Sequence, residues 1–429
     1  MVTLARTLAR PAAVVAAVVL LAGCAGQPST PSASPTSSAG AALSTCVTDP
    51  AAVVARSQAL PTTPMTDSQA AVIDAAAGEG FAAAAAPGAI VAVQSKDGLF
   101  LKAYGVADPA TGVPMTTDMF QRVGSITKPF TATLLLQLVA DGDVSLDDPI
   151  STYVDGVPNG DHVTLRMLAD MTSGLASYTL DPAWQATFFA QPEKVWSPDE
   201  LLAIGLALPP LFEPGTSFNY SNTNTVLLGK VIEKVTGQPY QDVLQQKILT
   251  PLKLTDTTFP AGSPVYPEPH PQGFTLQGTN ATVESPANAT DWNPSWGWTA
   301  GELISTATDL LAFARAEGTG HGLLPADLQM QRLTSSPGSA GYGLGWGCSA
   351  GWVGHAGELP GFNSSMFYDT ASDTTIITLT NSDIPSGGCS DSTTLLDNPA
   401  DLPCSSPATR LFVSVSTALG HAFVPPAKR

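Results

Sequence analysis

Ser125-Ile126-Thr127-Lys128 sets a hydroxyl and an amine three residues apart at the start of an apolar run, on one face of a helix and about one turn from each other. A serine hydroxyl attacks a carbonyl only when a base takes its proton. A lysine can be that base only when burial or neighbours lower its pKa toward neutrality. A helix start helps, because its free N–H groups and positive dipole end disfavour the ammonium and favour the alkoxide. No other lysine in the chain has a serine three residues before it.

Two further groups could complete this chemistry. Tyr220-Ser221-Asn222 follows the turn-rich run Glu213 to Asn219 and is the one Tyr-x-Asn in the sequence. A buried phenol beside a lysine can shuttle a proton, and an amide can bind both the lysine and a substrate carbonyl. His355-Ala356-Gly357 is the one His-x-Gly, set between a short strand and Pro360-Gly361. A strand edge there can offer backbone N–H groups to a developing oxyanion, with glycine allowing close approach. A competing signal, Gly347-Cys348-Ser349-Ala350-Gly351, has the G-x-S-x-G spacing of a nucleophile elbow. An elbow needs a strand before and a helix after, whereas Ser349 lies between two strand-like runs, so it is not expected to be the nucleophile.

The elements that must hold these residues can be read from patterning. Gly88 to Gln94 and Leu99 to Gly105 predict two strands joined at Lys96-Asp97-Gly98, an antiparallel hairpin. Residues 126 to 140 are apolar almost all round and stop at Asp141-Gly142, a buried helix with Pro129 in its first turn, where a helix tolerates it. From about 148 to 300, helical patches (165–171, 198–208, 225–236 and 240–249) alternate with Pro/Gly/Asn loops. A helix over 303–316 follows, then strand-like runs at 342–346, 352–355, 363–368 and 374–380, and a closing helix at about 408–419. Strands at both ends with helices between predict one antiparallel sheet, assembled from about 65–147 and 301–424, carrying a mostly helical insertion.

The first residues read as an address. Arg6 and Arg10 precede an apolar Ala/Val/Leu run ending at Leu21-Ala22-Gly23-Cys24, so 1–23 is expected to be a signal peptide with Cys24 diacylated after cleavage. Residues 24–64 are Pro/Ser/Thr/Ala-rich and expected to be a disordered tether to the outer face of a membrane. The net charge of −18 makes nucleic acid and anionic headgroups poor partners. Apart from Cys24, the cysteines are Cys46, Cys348, Cys389 and Cys404, an even number in an oxidising compartment. Of the three pairings, Cys389 with Cys404 is favoured because these two bracket one Gly/Ser/Asp/Pro-rich loop. Five scattered histidines and no C-x-x-C argue against a metal site.

The order Ser-x-x-Lys, Tyr-x-Asn, His-x-Gly resembles the penicillin-recognising serine hydrolases, and within them the class C β-lactamases, D-alanyl-D-alanine carboxypeptidases and related esterases. Flanking words agree, among them Ser145-Leu146-Asp147-Asp148-Pro149, Met171-Thr172-Ser173-Gly174-Leu175 and Gly354-His355-Ala356-Gly357-Glu358-Leu359-Pro360-Gly361, over about 85–420. The resemblance implies an α/β (α+β) fold of the β-lactamase/penicillin-binding-protein kind and an acyl-enzyme mechanism without cofactor. Ser125 would attack, Lys128 and Tyr220 would move its proton, and Asn222 would orient the substrate. By matching position, the N–H groups of Ser125 and Glu358, beside Gly357, would hold the tetrahedral oxygen. His355 stands where many relatives have the lysine of a K-T-G strand, so a fixed positive group for a substrate carboxylate is missing there. Arg122, Arg166, Arg315 and Arg332 are the other candidates for that role. The implied activity is carboxypeptidase-like on cell-wall peptides, with esterase or β-lactamase activity, or a catalytically silent wall-associated lipoprotein, as alternatives.

Overall fold

A computed structural model describes residues 45–425, apart from 85, 279–280, 339 and 390–401. Cys24 and the expected signal peptide lie outside the described residues.

The predicted hairpin forms as Gly88–Ser95 and Gly98–Asp108, with Ser95 opposite Gly98 and the turn at Lys96-Asp97. It is part of an eight-stranded antiparallel sheet. In spatial order the strands are Val113–Pro114, Gly98–Asp108, Gly88–Ser95, Thr374–Thr380, Phe362–Asp369, Trp352–Leu359, Gly347–Ser349 and Ala340–Tyr342. Alternation along the central strands separates two cores. Ala89, Val91, Val93, Phe367 and Ile376 pack under the helices Asp67–Ala84 and Pro407–Ala418. Ile90, Ala92, Met366, Ile377 and Leu379 join the larger core on the opposite face, with helices Ala307–Thr319 and Thr127–Asp141.

Between 148 and 300 lie the helices Leu165–Ala169, Pro182–Ala190, Pro198–Ala207, Asn222–Thr236 and Tyr240–Leu244. The last runs on through a π-helical turn, Gln245–Leu249. Among the described residues, no helix is long and apolar enough to cross a membrane.

Three expectations need correction. Residues 45–64 are not tether but part of the domain: Asp49 caps a short helix, Pro50–Val54, accepting from Ala52 N at 3.0 Å. Val47 and Val53 are buried with Trp346, Val353 and Tyr368. Cys46 is disulfide-bonded to Cys348, and Leu99 N donates to Thr63 O at 2.9 Å. A composition too poor in apolar residues to fold alone is held by a covalent link and by backbone pairing to an existing sheet. Of the expected strand 342–346 only Tyr342 is strand, the last residue of Ala340–Tyr342; 343–346 is a turn, with Gly343 N donating to Trp346 O at 2.9 Å, leading into strand Gly347–Ser349. The helix expected from 303 starts at Ala307, after Thr306 caps it, because Ile304–Ser305 is spent pairing with Gln121–Arg122.

The second disulfide is the expected Cys389–Cys404.

Candidate active site

The turn that carries the serine is fixed before the helix begins. Gln121–Arg122 pairs with Ile304–Ser305, Val123 N donates to Leu303 O at 3.0 Å, and Thr127 Oγ1 donates to Gly124 O at 2.7 Å. Gly124 has φ +55°, and a Cβ on it would fall 2.8 Å from Glu358 N. That is the left-handed region, where glycine is nearly free of cost. Gly124 thus lets strand Trp352–Leu359 approach the turn, bringing the Glu358 backbone nitrogen close beside it. Gly357 serves the same approach from the other side: a Cβ there would sit 1.8 Å from Val123 O. The His-x-Gly spacing is therefore a packing requirement as well as a chemical one.

Ser125 occupies the single-turn 3-10 segment Gly124–Ile126, and Lys128 the first turn of helix Thr127–Asp141. Lys128 is buried at 1% exposure, and burial holds its amine well below the usual lysine range. Its Nζ lies 3.0 Å from Ser125 Oγ, 2.8 Å from Asn222 Oδ1 and 2.7 Å from Ala300 O. A neutral amine has two N–H bonds and one lone pair. The two carbonyl oxygens can only accept, so they take both N–H bonds, and the lone pair is left for the Ser125 hydroxyl. That is the arrangement of a general base.

Tyr220 lies with its ring 4.7 Å from Lys128 Nζ. Its phenol is enclosed and burial pushes it up, with Ser125 acting in the opposite sense, yet it makes no hydrogen bond of good geometry. A neutral phenol beside Ser125 with its O–H uncommitted is suited to pass a proton to a leaving atom. Asn222 opens helix Asn222–Thr236 and is held by its N–H donating to Ser177 Oγ at 3.2 Å.

His355 is pushed down to about 3, first by burial and then by the Lys128 charge, so it is neutral at any ordinary pH. Its Nδ1 lies 2.5 Å from Ala356 O, which only accepts, so the proton sits on Nδ1. Nε2 then accepts from Tyr342 O–H at 3.1 Å. Tyr342 packs edge-on against both Tyr220 and His355, with ring centroids 6.0 and 5.7 Å apart. Sequence reasoning missed Tyr342, which was read only as the start of a strand. It also missed the backbone oxygen of Ala300, which no side-chain motif reports.

The four arginines are placed elsewhere. Arg166 pairs with Asp147, Arg315 with Asp373 and Arg332 with Glu317, while Arg122 donates to Trp292 O and lies against Tyr266. Ser349 ends a strand that pairs with Trp352 through the Ala350-Gly351 turn, and its hydroxyl donates to Val424 O at 2.7 Å. No helix follows it, so the elbow geometry is absent. Ser125, Tyr220, Tyr342, His355, Gly357 and Glu358 all line one cleft of about 480 Å³.

Residues 73–397 match the Beta-lactamase family. The chain belongs to that family. Its serine hydrolases include proteins similar to this one along much of their length. A D-stereospecific amidohydrolase from Streptomyces sp. is 37% identical, with a TM-score of 0.66 over 72% of this chain and 94% of that one. D-amino acid amidase from Ochrobactrum anthropi SV3, complexed with D-phenylalanine, is 25% identical with a TM-score of 0.67, over 82% of this chain and 99% of that one. Esterase EstB of Burkholderia gladioli is 29% identical over 68% of this chain and 85% of its own length. Penicillin-binding protein 4 of Amycolatopsis lactamdurans is 32% identical over 53% of this chain, and the match spans 58% of that protein. With the putative penicillin-binding protein PbpX of Bacillus subtilis, at 26% identity, it spans 66%. The chain thus shares the fold and family of these serine hydrolases, while the matches span less than two thirds of the two penicillin-binding relatives.

Proposed function

We propose that this chain is an exported, lipid-anchored serine hydrolase that cleaves amides or esters bearing no carboxylate near the scissile bond. One observation carries the substrate half of this reading: among the described residues no lysine or arginine lines the cleft, and His355 is held neutral. The charged side chains that do line it are Glu358 and Asp170. A substrate carboxylate would meet repulsion there without a cation to hold it.

In this mechanism Ser125 Oγ bonds to the carbonyl carbon while its proton passes to Lys128 Nζ. The Ser125 and Glu358 N–H groups receive the oxyanion. The proton then travels through the Tyr220 hydroxyl to the leaving nitrogen or oxygen as the carbon–leaving-group bond breaks. Water, deprotonated along the same route, attacks the acyl carbon, and the proton returns to Ser125 as the ester breaks.

A carboxypeptidase acting on D-alanyl-D-alanine stem peptides is the second reading, favoured by the penicillin-binding relatives and by the leader ending at Cys24. The test is a panel of a D-amino acid amide, a short nitrophenyl ester, a D-Ala-D-Ala peptide and a chromogenic cephalosporin, run on the native chain and on Ser125→Ala. Turnover of amide or ester, lost in Ser125→Ala, is the expected result. Turnover of the D-Ala-D-Ala peptide alone would establish the second reading, and the absence of any Ser125 adduct by intact mass would sink both. The anchor is tested by labelling with a palmitate analogue, expected in the native chain and lost in Cys24→Ala.

A further inference from the structure

The cleft that opens on Ser125 runs on into a second lobe of about 650 Å³, and the two share Phe218, Tyr342, Gly347, Phe367, Phe423 and Pro425 as walls. Pro337, the disulfide-bonded Cys348 and Val424 complete the apolar lining. The polar groups of the lobe are already committed to the protein. Ser349 Oγ donates to Val424 O at 2.7 Å, Ser335 Oγ to Arg332 O at 2.7 Å, and Thr172 Oγ1 to Asp170 Oδ1 at 2.6 Å. The hydroxyls have little left with which to orient a polar ligand, and the one charged group of the lobe, Asp170, accepts from both Thr172 N and Thr172 Oγ1 through Oδ1. Phe218, which lines both lobes, and Val424, which lines the second, are 53% and 63% exposed, so large apolar side chains stand in water along this surface. A bound apolar group would remove that surface from water.

We propose that the second lobe receives an unbranched apolar acyl chain of the substrate, so that the preferred substrates are amphipathic esters or amides with a medium to long acyl group. This rests on Ser125 being the nucleophile. The acyl carbon sits at Ser125, and its chain runs along the packed Phe218 and Tyr342 rings, whose centroids are 6.0 Å apart, into the lobe while the leaving group stays at the open side.

The test is a nitrophenyl ester series from acetyl to dodecanoyl, kept below micelle-forming concentrations. Burial of each added methylene is expected to raise kcat/KM about fourfold between butyryl and octanoyl. Val424→Asp, at an exposed position that should tolerate the change, is expected to cut the octanoyl-to-acetyl ratio by about tenfold. A series that is flat or falls from acetyl overturns the proposal, as does preference for a phenylacetyl over an octanoyl ester, which would assign the lobe to an aromatic group. Calorimetry of Ser125→Ala with primary amides from acetamide to decanamide keeps the two proposals distinguishable. Tighter binding with chain length but no turnover by the native chain would sink the proposed function alone. Turnover lost in Ser125→Ala, with binding and kcat/KM independent of chain length, would sink the lobe alone.

Discussion

In the proposed mechanism Lys128 is the residue on which the chemistry turns, and its burial decides its protonation. Because its folded pKa lies below the ordinary 10.5, the unfolded chain binds more protons in the interval between the two values. Stability from this group is fully present above the ordinary value and is lost as pH falls toward the folded one. Activity should follow the neutral amine, rising with pH through the lowered Lys128 pKa and then levelling. Lys128→Met, which keeps most of the length of the side chain but has no base, should lose about a thousandfold or more in kcat with little loss of fold, as seen by steady-state kinetics beside circular dichroism. His355 has the same sign in another window: its contribution is present above about pH 6.5 and lost as pH falls toward about 3. Buried Glu302 and Asp383, each raised by burial to about 7, act in the opposite direction, losing stability as pH rises through that value. The His355 part must therefore be read as a difference: the native chain should lose more denaturant stability than His355→Gln between pH 6.5 and pH 4. Tyr342→Phe leaves His355 Nε2 buried without a donor and should destabilise the fold by about 1–3 kcal/mol in urea unfolding.

The turn at Gly124 shows what elements contribute beyond the residues they carry. Gly124→Ala would place a methyl 2.8 Å from Glu358 N, so the turn and the strand must separate. Losing one oxyanion donor should lower kcat by about 10²–10³-fold, with KM changing much less and circular dichroism unaltered. The helix behind that turn was legible because residues 126 to 140 are apolar on every side, and in the structure Lys128 and Phe130 to Leu136 are all buried. The sheet was legible because its strands alternate or run fully apolar between Gly and Asp turns. Helix Asp67–Ala84 was not seen in the sequence, being alanine-rich with Gly78 and Gly80 inside it and little contrast between its faces. Its register comes from contact: a Cβ on Gly80 would lie 3.0 Å from Ser414 Cβ, so the glycine is there to admit the neighbouring helix. Tyr342 escaped for a related reason, since a tyrosine among glycines gives no periodic signal, and its role exists only once the turn 343–346 brings it to His355.

At the scale of the whole molecule, both ends of the sequence build one sheet, and the first stretch of the described chain is bonded to one of its last strands. Composition misread residues 45–64 because it registers how much apolar surface a segment owns, not what a covalent bond can hold in place. Cys46 and Cys348 are 302 residues apart, and closing a loop of that length is worth about 6 kcal/mol in the chain-entropy account. Cys348→Ser should lower the thermal midpoint by several degrees, while the bond between Cys389 and Cys404, 15 residues apart, should matter less. The 302-residue closure has a mechanical side too. If Cys24 is anchored as proposed, any tug from the membrane enters the domain at Cys46 and crosses the sulfur bridge into the strand that ends at Ser349. The load passes to hydrogen bonds with Trp352 and Val353 pulled together, rather than peeling off the N-terminal helices one turn at a time, so the anchor point and the substrate strand would bear tension as one body.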